Sequence, residues 1–149
     1  MISRVFAGRA RVAVALAVAT AGCAAPSRTG VEAVVPSVLP GAPISMATRA
    51  GGLVFLAGRT AIDAAGRGIA AEMREIGASL AHDARAAGVG MAAVARCTVF
   101  VLDVADLPAV DAAYASWFAA PPPPRTAVQV VATPVRAARV EVECVARGR

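Results

Sequence analysis

The chain has 149 residues, 58% of them hydrophobic and 17% charged, with 13 glycines and 10 prolines. That composition excludes a disordered tail, a collagen and a multidomain protein. All 15 basic residues are arginine, which rules out Schiff-base chemistry at a lysine and a Walker-type phosphate loop. The single histidine, His82, and the scattered Cys23, Cys97 and Cys144 provide neither a clustered zinc ligand set nor a serine-histidine-acid triad at familiar spacing. Chemistry is left to arginine, carboxylates, hydroxyls and backbone.

The formal charge of +5 is concentrated at the front of the chain. Arg4, Arg9 and Arg11 precede an uncharged run from Val12 to Ala25, a positive region followed by an apolar one. The apolar run is too short for a span of ~20 residues, so residues 1–22 read as an export signal rather than a membrane helix. Ala19-Thr-Ala21 fits a signal peptidase site, while Thr20-Ala-Gly-Cys23 resembles a bacterial lipobox with Thr20 where leucine is more usual. The lipobox is favoured, making Cys23 the lipidation site and a lipid anchor the route to a membrane. The expected location is exported, periplasmic or lipid-anchored; the alternative is a cytoplasmic protein with a misassigned start. Removing the signal leaves 12 arginines against 10 acidic residues, a net charge of +2. With no basic stripe and no interleaved aromatics, nucleic acid is not an expected partner.

Residues 23–42, rich in Ala, Pro, Ser and Val without period, read as a linker, and 43–149 as one domain. Ile44–Arg49 and Leu53–Ala57, joined by Ala50-Gly-Gly52, predict a β-hairpin. Ile69, Met73, Ile76, Leu80, Ala84 and Ala87 recur at helical spacing and predict an amphipathic helix ended by Gly88. His82 falls between core positions of that helix, hence toward solvent. Arg96–Leu102 is a continuous β-rich run and predicts a central strand buried on both faces. Asp106 is expected to cap a second helix with Pro108 in its first turn and Tyr114, Trp117 and Phe118 on its apolar side, a core or subunit-interface set. The run Pro121–Pro124 stops it, and 126–131 and 139–146 predict two more strands. Cys97 and Cys144 lie inside apolar strands and read as buried hydrophobes rather than nucleophiles or a disulfide. The order ββαβαββ is an α+β domain with both helices on one face of a mixed sheet.

This order, with four local strings, resembles the Rid (RidA/YjgF) family of enamine and imine deaminases. The strings are Gly52-Leu-Val-Phe-Leu-Ala-Gly58, Ala86-Ala-Gly-Val89, Cys97-Thr-Val-Phe-Val-Leu-Asp103, and Pro124-Arg-Thr-Ala-Val128 with Val140-Glu-Val-Glu-Cys-Val-Ala146. The resemblance covers residues 43–147 and implies a chorismate-mutase-like fold, a homotrimer, and ligand clefts between subunits. It places at Arg125 the guanidinium that holds the carboxylate of a 2-imino acid, a planar fork matching that group as a lysine cannot. It places at Glu141 the carboxylate that holds the attacking water and shuttles protons. Strand alternation alone does not choose between Glu141 and Glu143; the resemblance selects Glu141. Gly58 and Ala127 would bind ligand and water through their backbone at close approach.

Three positions depart from the family pattern. Ala42-Pro43-Ile44 replaces a Gly-Pro-Tyr-like string, so Ile44 removes a hydroxyl and an aromatic wall. Asp111 stands for an asparagine ahead of Tyr114, and Arg59 for a glutamine. These are read either as an ordinary solvated or interfacial pair or as a re-cut pocket in which Arg59 meets a second negative group; with Tyr114 they complete the expected substrate-binding set. The resemblance implies cofactor-independent hydrolysis of 2-imino or enamine acids, of the 2-iminobutanoate and 2-iminopropanoate class, to 2-keto acids and ammonia. A carboxylate-binding or sensing trimer without turnover is the second expectation, and ribonuclease activity, reported for some family members, is disfavoured by the low mature charge.

Overall fold

A computed structural model of the chain describes residues 30–38, 40–119 and 121–148. The export signal expected at 1–22 and the expected lipidation site Cys23 lie outside the described residues. Six strands form one mixed sheet in the order β1-β2-β3-β6-β4-β5: β1 Glu32–Pro36, β2 Ser45–Ala50, β3 Leu53–Thr60, β4 Val94–Val101, β5 Arg125–Gln129 and β6 Val140–Arg147. All neighbours are antiparallel except β4 and β5, which run parallel through the crossover helix α2, Leu107–Ala115. The α+β class, the mixed sheet and the chorismate-mutase-like arrangement are those expected.

β1 corrects the linker reading. The segment Glu-Ala-Val-Val-Pro is short, lacks alternation and ends in proline, yet it pairs with β2 at the sheet edge and buries Val35. An edge strand tolerates both the proline and the register breaks that flank Val35.

Helix α1, Ile69–Ala86, lies across β1, β2, β3 and β6, and α2 packs against α1. Every position of the expected stripe, from Ile69 to Ala87, is buried. The helix stops as a Schellman turn: Gly88 adopts φ 76° and donates to the Arg85 carbonyl, and Val89 donates to that of Ala84. The two helices meet closely at Gly77, where an added Cβ would lie 2.4 Å from Trp117 Nε1.

The second helix starts differently from expectation. Asp106 is helical and makes no side-chain cap; its carboxylate pairs with Arg139 at 2.7 Å. Asp103 instead accepts the Ala105 N–H at 2.8 Å, capping a 3-10 turn that leads into α2.

β4 is central, but only one face is buried. Cys97, Val99 and Val101 point to the helices, while Thr98 and Phe100 are half-buried on the open face. Cys97 and Cys144 sit directly opposite in the β4–β6 ladder and form a disulfide, contrary to the reading as free thiols. Their separation of 47 residues says nothing about strand register, and register is what brings them together.

Candidate active site

The strongest candidate is a cleft of about 520 Å³ where β2, β3 and β6 meet the loop before β6. Its rim is apolar, with Val38, Ile44 and Ile62 largely exposed around it and Pro134 and Val135 closing one side. Glu141 and Arg59 supply its charged side chains.

Glu141 comes from β6, whose alternation sends Val140, Val142 and Cys144 into the core and Glu141 and Glu143 to the open face. The structure separates these two carboxylates. Glu141 is half-buried in the cleft, whereas Glu143 is exposed. Loss of water around the Glu141 carboxyl, with the charge of Glu143 adding to it, raises its pKa above the ordinary carboxylate value. Thr60 is its ladder partner on β3, but Gly58, two residues earlier on that strand, explains the fit. β3 carries an irregularity between Leu56 and Arg59, and a Cβ on Gly58 would lie 2.0 Å from Glu141 Oε1. Gly58 is therefore a matter of space: any side chain there would occupy the place of the Glu141 carboxylate.

The walls of the cleft are tied down by carboxylates of α1. Glu75 accepts the N–H groups of Ile62 at 2.8 Å, Asp63 at 3.3 Å and Ala64 at 2.7 Å, and the Ile62 bond leads in holding its carboxyl below the usual value. Glu72, fully buried, accepts from Gly66 at 3.1 Å and from the Arg139 N–H at 2.7 Å, joining the loop after β3 to the start of β6. Asp83, equally buried, takes Arg59 through Nε at 2.6 Å and Nη2 at 2.5 Å. Arg59 thus lines the cleft while engaged in an ion pair with a buried partner, and of its two expected readings this pairing is nearer the ordinary pair than the re-cut pocket. His82 is solvent-facing as expected, its side chain 69% exposed and 3.4 Å from Asp83 Oδ1.

These carboxylates had a readable trace. Glu72 and Asp83 follow Ile69 and Leu80 by three residues, inside the apolar stripe, where a charge requires a partner. Which partner they find depends on loops distant in sequence.

Arg125 lies elsewhere. It opens β5 opposite Cys97, on the helix-covered side, whereas Glu141 stands opposite Phe100 on the open side. The two are on different faces, with β4 between their strands and about 10 Å of strand length separating their registers. Among the described residues, those lining the Glu141 cleft do not include Arg125. Arg125 is bound by Asp111 of α2, with Nε 2.6 Å from Oδ1 and Nη2 also in contact with that oxygen. Ala127 lies two residues further along the same strand face and is half-buried.

Tyr114, expected among the substrate contacts, is buried instead. Its hydroxyl donates to the Pro123 carbonyl at 3.2 Å and its ring meets Trp117 and Phe118 at 5.5 and 5.0 Å between centroids. Burial raises its pKa, opposed by the charge of Arg125. Its role in one chain is to hold the proline run that delivers Arg125.

Residues 36–147 match the family model described as Endoribonuclease L-PSP. The chain is 32% identical over 109 residues to Reactive Intermediate Deaminase A, chloroplastic, of Arabidopsis thaliana, covering 70% of this chain and 58% of that protein. It is 30% identical over 109 residues to the 2-iminobutanoate/2-iminopropanoate deaminase of Capra hircus, covering 70% and 79%. Among solved structures, a Mycobacterium tuberculosis member of the YjgF/YER057c/UK114 family superposes with a TM-score of 0.70 at 29% identity, over 76% of this chain and 97% of that one.

Proposed function

The chain belongs to the Endoribonuclease L-PSP family, the Rid (RidA/YjgF) family, and from that premise we propose that it hydrolyses reactive 2-imino or enamine acids to 2-keto acids and ammonia. The observation that carries this reading is the desolvated carboxyl of Glu141, seated over Gly58 in an apolar-rimmed cleft. A carboxyl whose pKa is raised by loss of water is a stronger proton acceptor than an ordinary carboxylate and can hand the proton on to a leaving group. In the proposed reaction Arg125 grips the ligand carboxylate and Glu141 takes a proton from the water that attacks the imine carbon. The C–N bond of the resulting carbinolamine then breaks, and the proton leaves with ammonia as the C=O bond forms.

Arg125 and Glu141 meet in this scheme only if one chain supplies each. A homotrimer, implied by the resemblance, would do so by covering the open sheet face, where Leu53, Phe55 and Val128 are 38%, 41% and 41% exposed. Light scattering should give three subunits per particle; a monomer at micromolar concentration would overturn the shared cleft. Ammonia release from freshly generated 2-iminobutanoate tests the chemistry directly.

One observation favours a second reading, a carboxylate-binding trimer without turnover: Asp111 occupies Arg125. Binding of 2-keto acids with no ammonia release above background would select it. RNA cleavage, which the family description names, finds little support in a mature net charge of +2.

Export is also proposed, and the Cys97–Cys144 disulfide supports it, since such bonds persist in oxidising compartments. Fractionation of producing cells should find the chain outside the cytoplasm. Lipidation that survives Cys23→Ala would refute the anchor alone.

A further inference from the structure

We infer that Asp111 is an internal competitor for Arg125 that favours ligands carrying a carboxylate together with a cationic nitrogen and expels those carrying a carboxylate alone. The inference rests on Arg125 being the carboxylate clamp of the proposed reaction. Nε and Nη2 of Arg125 both face Asp111 Oδ1, so that edge of the guanidinium fork is already taken. The Arg125 side chain is 22% exposed and that of Asp111 51%, so the aspartate is the partner free to swing into water. Tyr114 meanwhile holds the backbone just ahead of Arg125 through the Pro123 carbonyl.

A ligand with only a carboxylate gains little at such a site. It replaces one carboxylate on Arg125 with another and leaves the negative charge of Asp111 beside its own. A ligand with a cationic nitrogen next to its carboxylate behaves differently. Its carboxylate takes Arg125 and its nitrogen takes Asp111, so two ion pairs replace one.

A protonated 2-imino acid is such a ligand, and its product is not. In the hydrolysis, R–C(=NH2+)–COO− and H2O give R–CO–COO− and NH4+: the C–N bonds break, the C=O bond forms, and the positive charge leaves with ammonium. Asp111 then loses its ligand partner and retakes Arg125, displacing the keto acid. The residue thereby discriminates substrate from product.

Calorimetric titration of the purified protein with 2-oxobutanoate, an anion, and 2-aminobutanoate, a zwitterion, tests this with the wild type, Asp111→Asn, Arg125→Ala and the double variant. The wild type should prefer the zwitterion by roughly fivefold, the upper range for an exposed ion pair. Asp111→Asn should bind 2-oxobutanoate roughly fivefold more tightly than the wild type and lose that preference. Equal 2-oxobutanoate affinity in the wild type and Asp111→Asn, abolished by Arg125→Ala, would overturn the role of Asp111 while leaving the clamp intact. Binding of 2-oxobutanoate that persists in the Asp111→Asn, Arg125→Ala double variant would remove the clamp itself, and the inference with it.

Discussion

The surroundings of Glu141 and of Arg125 differ in kind. Glu141 lies among apolar side chains on the open sheet face, its carboxyl fitted into the space left by Gly58 and perturbed by loss of water. Arg125 lies two strands away on the edge strand β5, on the face covered by α2, with a carboxylate of its own chain bonded to it. One half of the proposed chemistry is set by space and desolvation, the other by competition between charges. Substitutions that fill space should therefore damage the first, and substitutions that alter charge geometry the second.

The largest effect is expected at the first half. Gly58→Ala should displace the far end of Glu141, a flexible group, so the fold persists while the proton-transfer step is lost. Both Gly58→Ala and Glu141→Gln should lower kcat for imine hydrolysis by about 100-fold or more, with far-UV circular dichroism unchanged. Glu143→Gln should stay close to wild type, because that carboxylate is exposed outside the cleft; an equal loss there would erase the distinction between the two glutamates.

The disulfide connects the two regions, since Cys97 pairs in register with Arg125 and Cys144 lies on the strand of Glu141. Reduction should cost about 2–4 kcal/mol of stability. Thermal melting with and without reductant should show Tm falling by on the order of 10 °C or more. Activity at 25 °C should survive in the molecules that remain folded, since neither sulfur enters the proposed chemistry.

Arg125→Lys keeps the charge but loses the fork. It should be nearly as damaging as Arg125→Ala, with kcat/KM down roughly 10- to 100-fold for ~1.5–3 kcal/mol of charge-assisted bonding. A lysine variant near wild-type activity would mean that charge alone suffices there.

The smallest effect separates the halves by pH. Because the folded-state pKa of Glu141 lies above its unfolded value, its favourable contribution is present below the unfolded pKa and lost as pH rises through the folded one. Glu141→Gln should therefore be slightly more stable than wild type at pH 7, and that advantage should vanish near pH 4. Catalysis runs the opposite way in the wild type, falling as pH drops through the raised pKa, because the proposed base must be ionised. A Tm difference that is flat between pH 4 and 7 would contradict the desolvation of Glu141.

Much of the architecture was legible in local pattern. The α1 stripe from Ile69 to Ala87, the Gly51-Gly52 hairpin turn and the alternation of β6 each encode their structure within a few residues, because helical and strand periods are local properties of the backbone. β1 was not legible, since its five residues lack alternation and become a strand only because β2 offers an unpaired edge. The site was legible by type more than by place. Arg125, Glu141 and Gly58 stood out by resemblance, yet pattern alone left Glu141 and Glu143 equivalent, and burial distinguishes them.

The sequence by itself determined the α+β class, the order of the major elements, the family, and the absence of lysine, which leaves every permanent positive side-chain charge to arginine. Tertiary structure decided which charges are already committed: Arg59 to Asp83, Arg125 to Asp111, Asp106 to Arg139, and the thiols of Cys97 and Cys144 to one another. The reason is range. Periodicity and turn chemistry act between near neighbours in the chain, whereas ion pairs, strand register and the water left around a carboxylate depend on residues that meet only when the sheet and its helices have closed together.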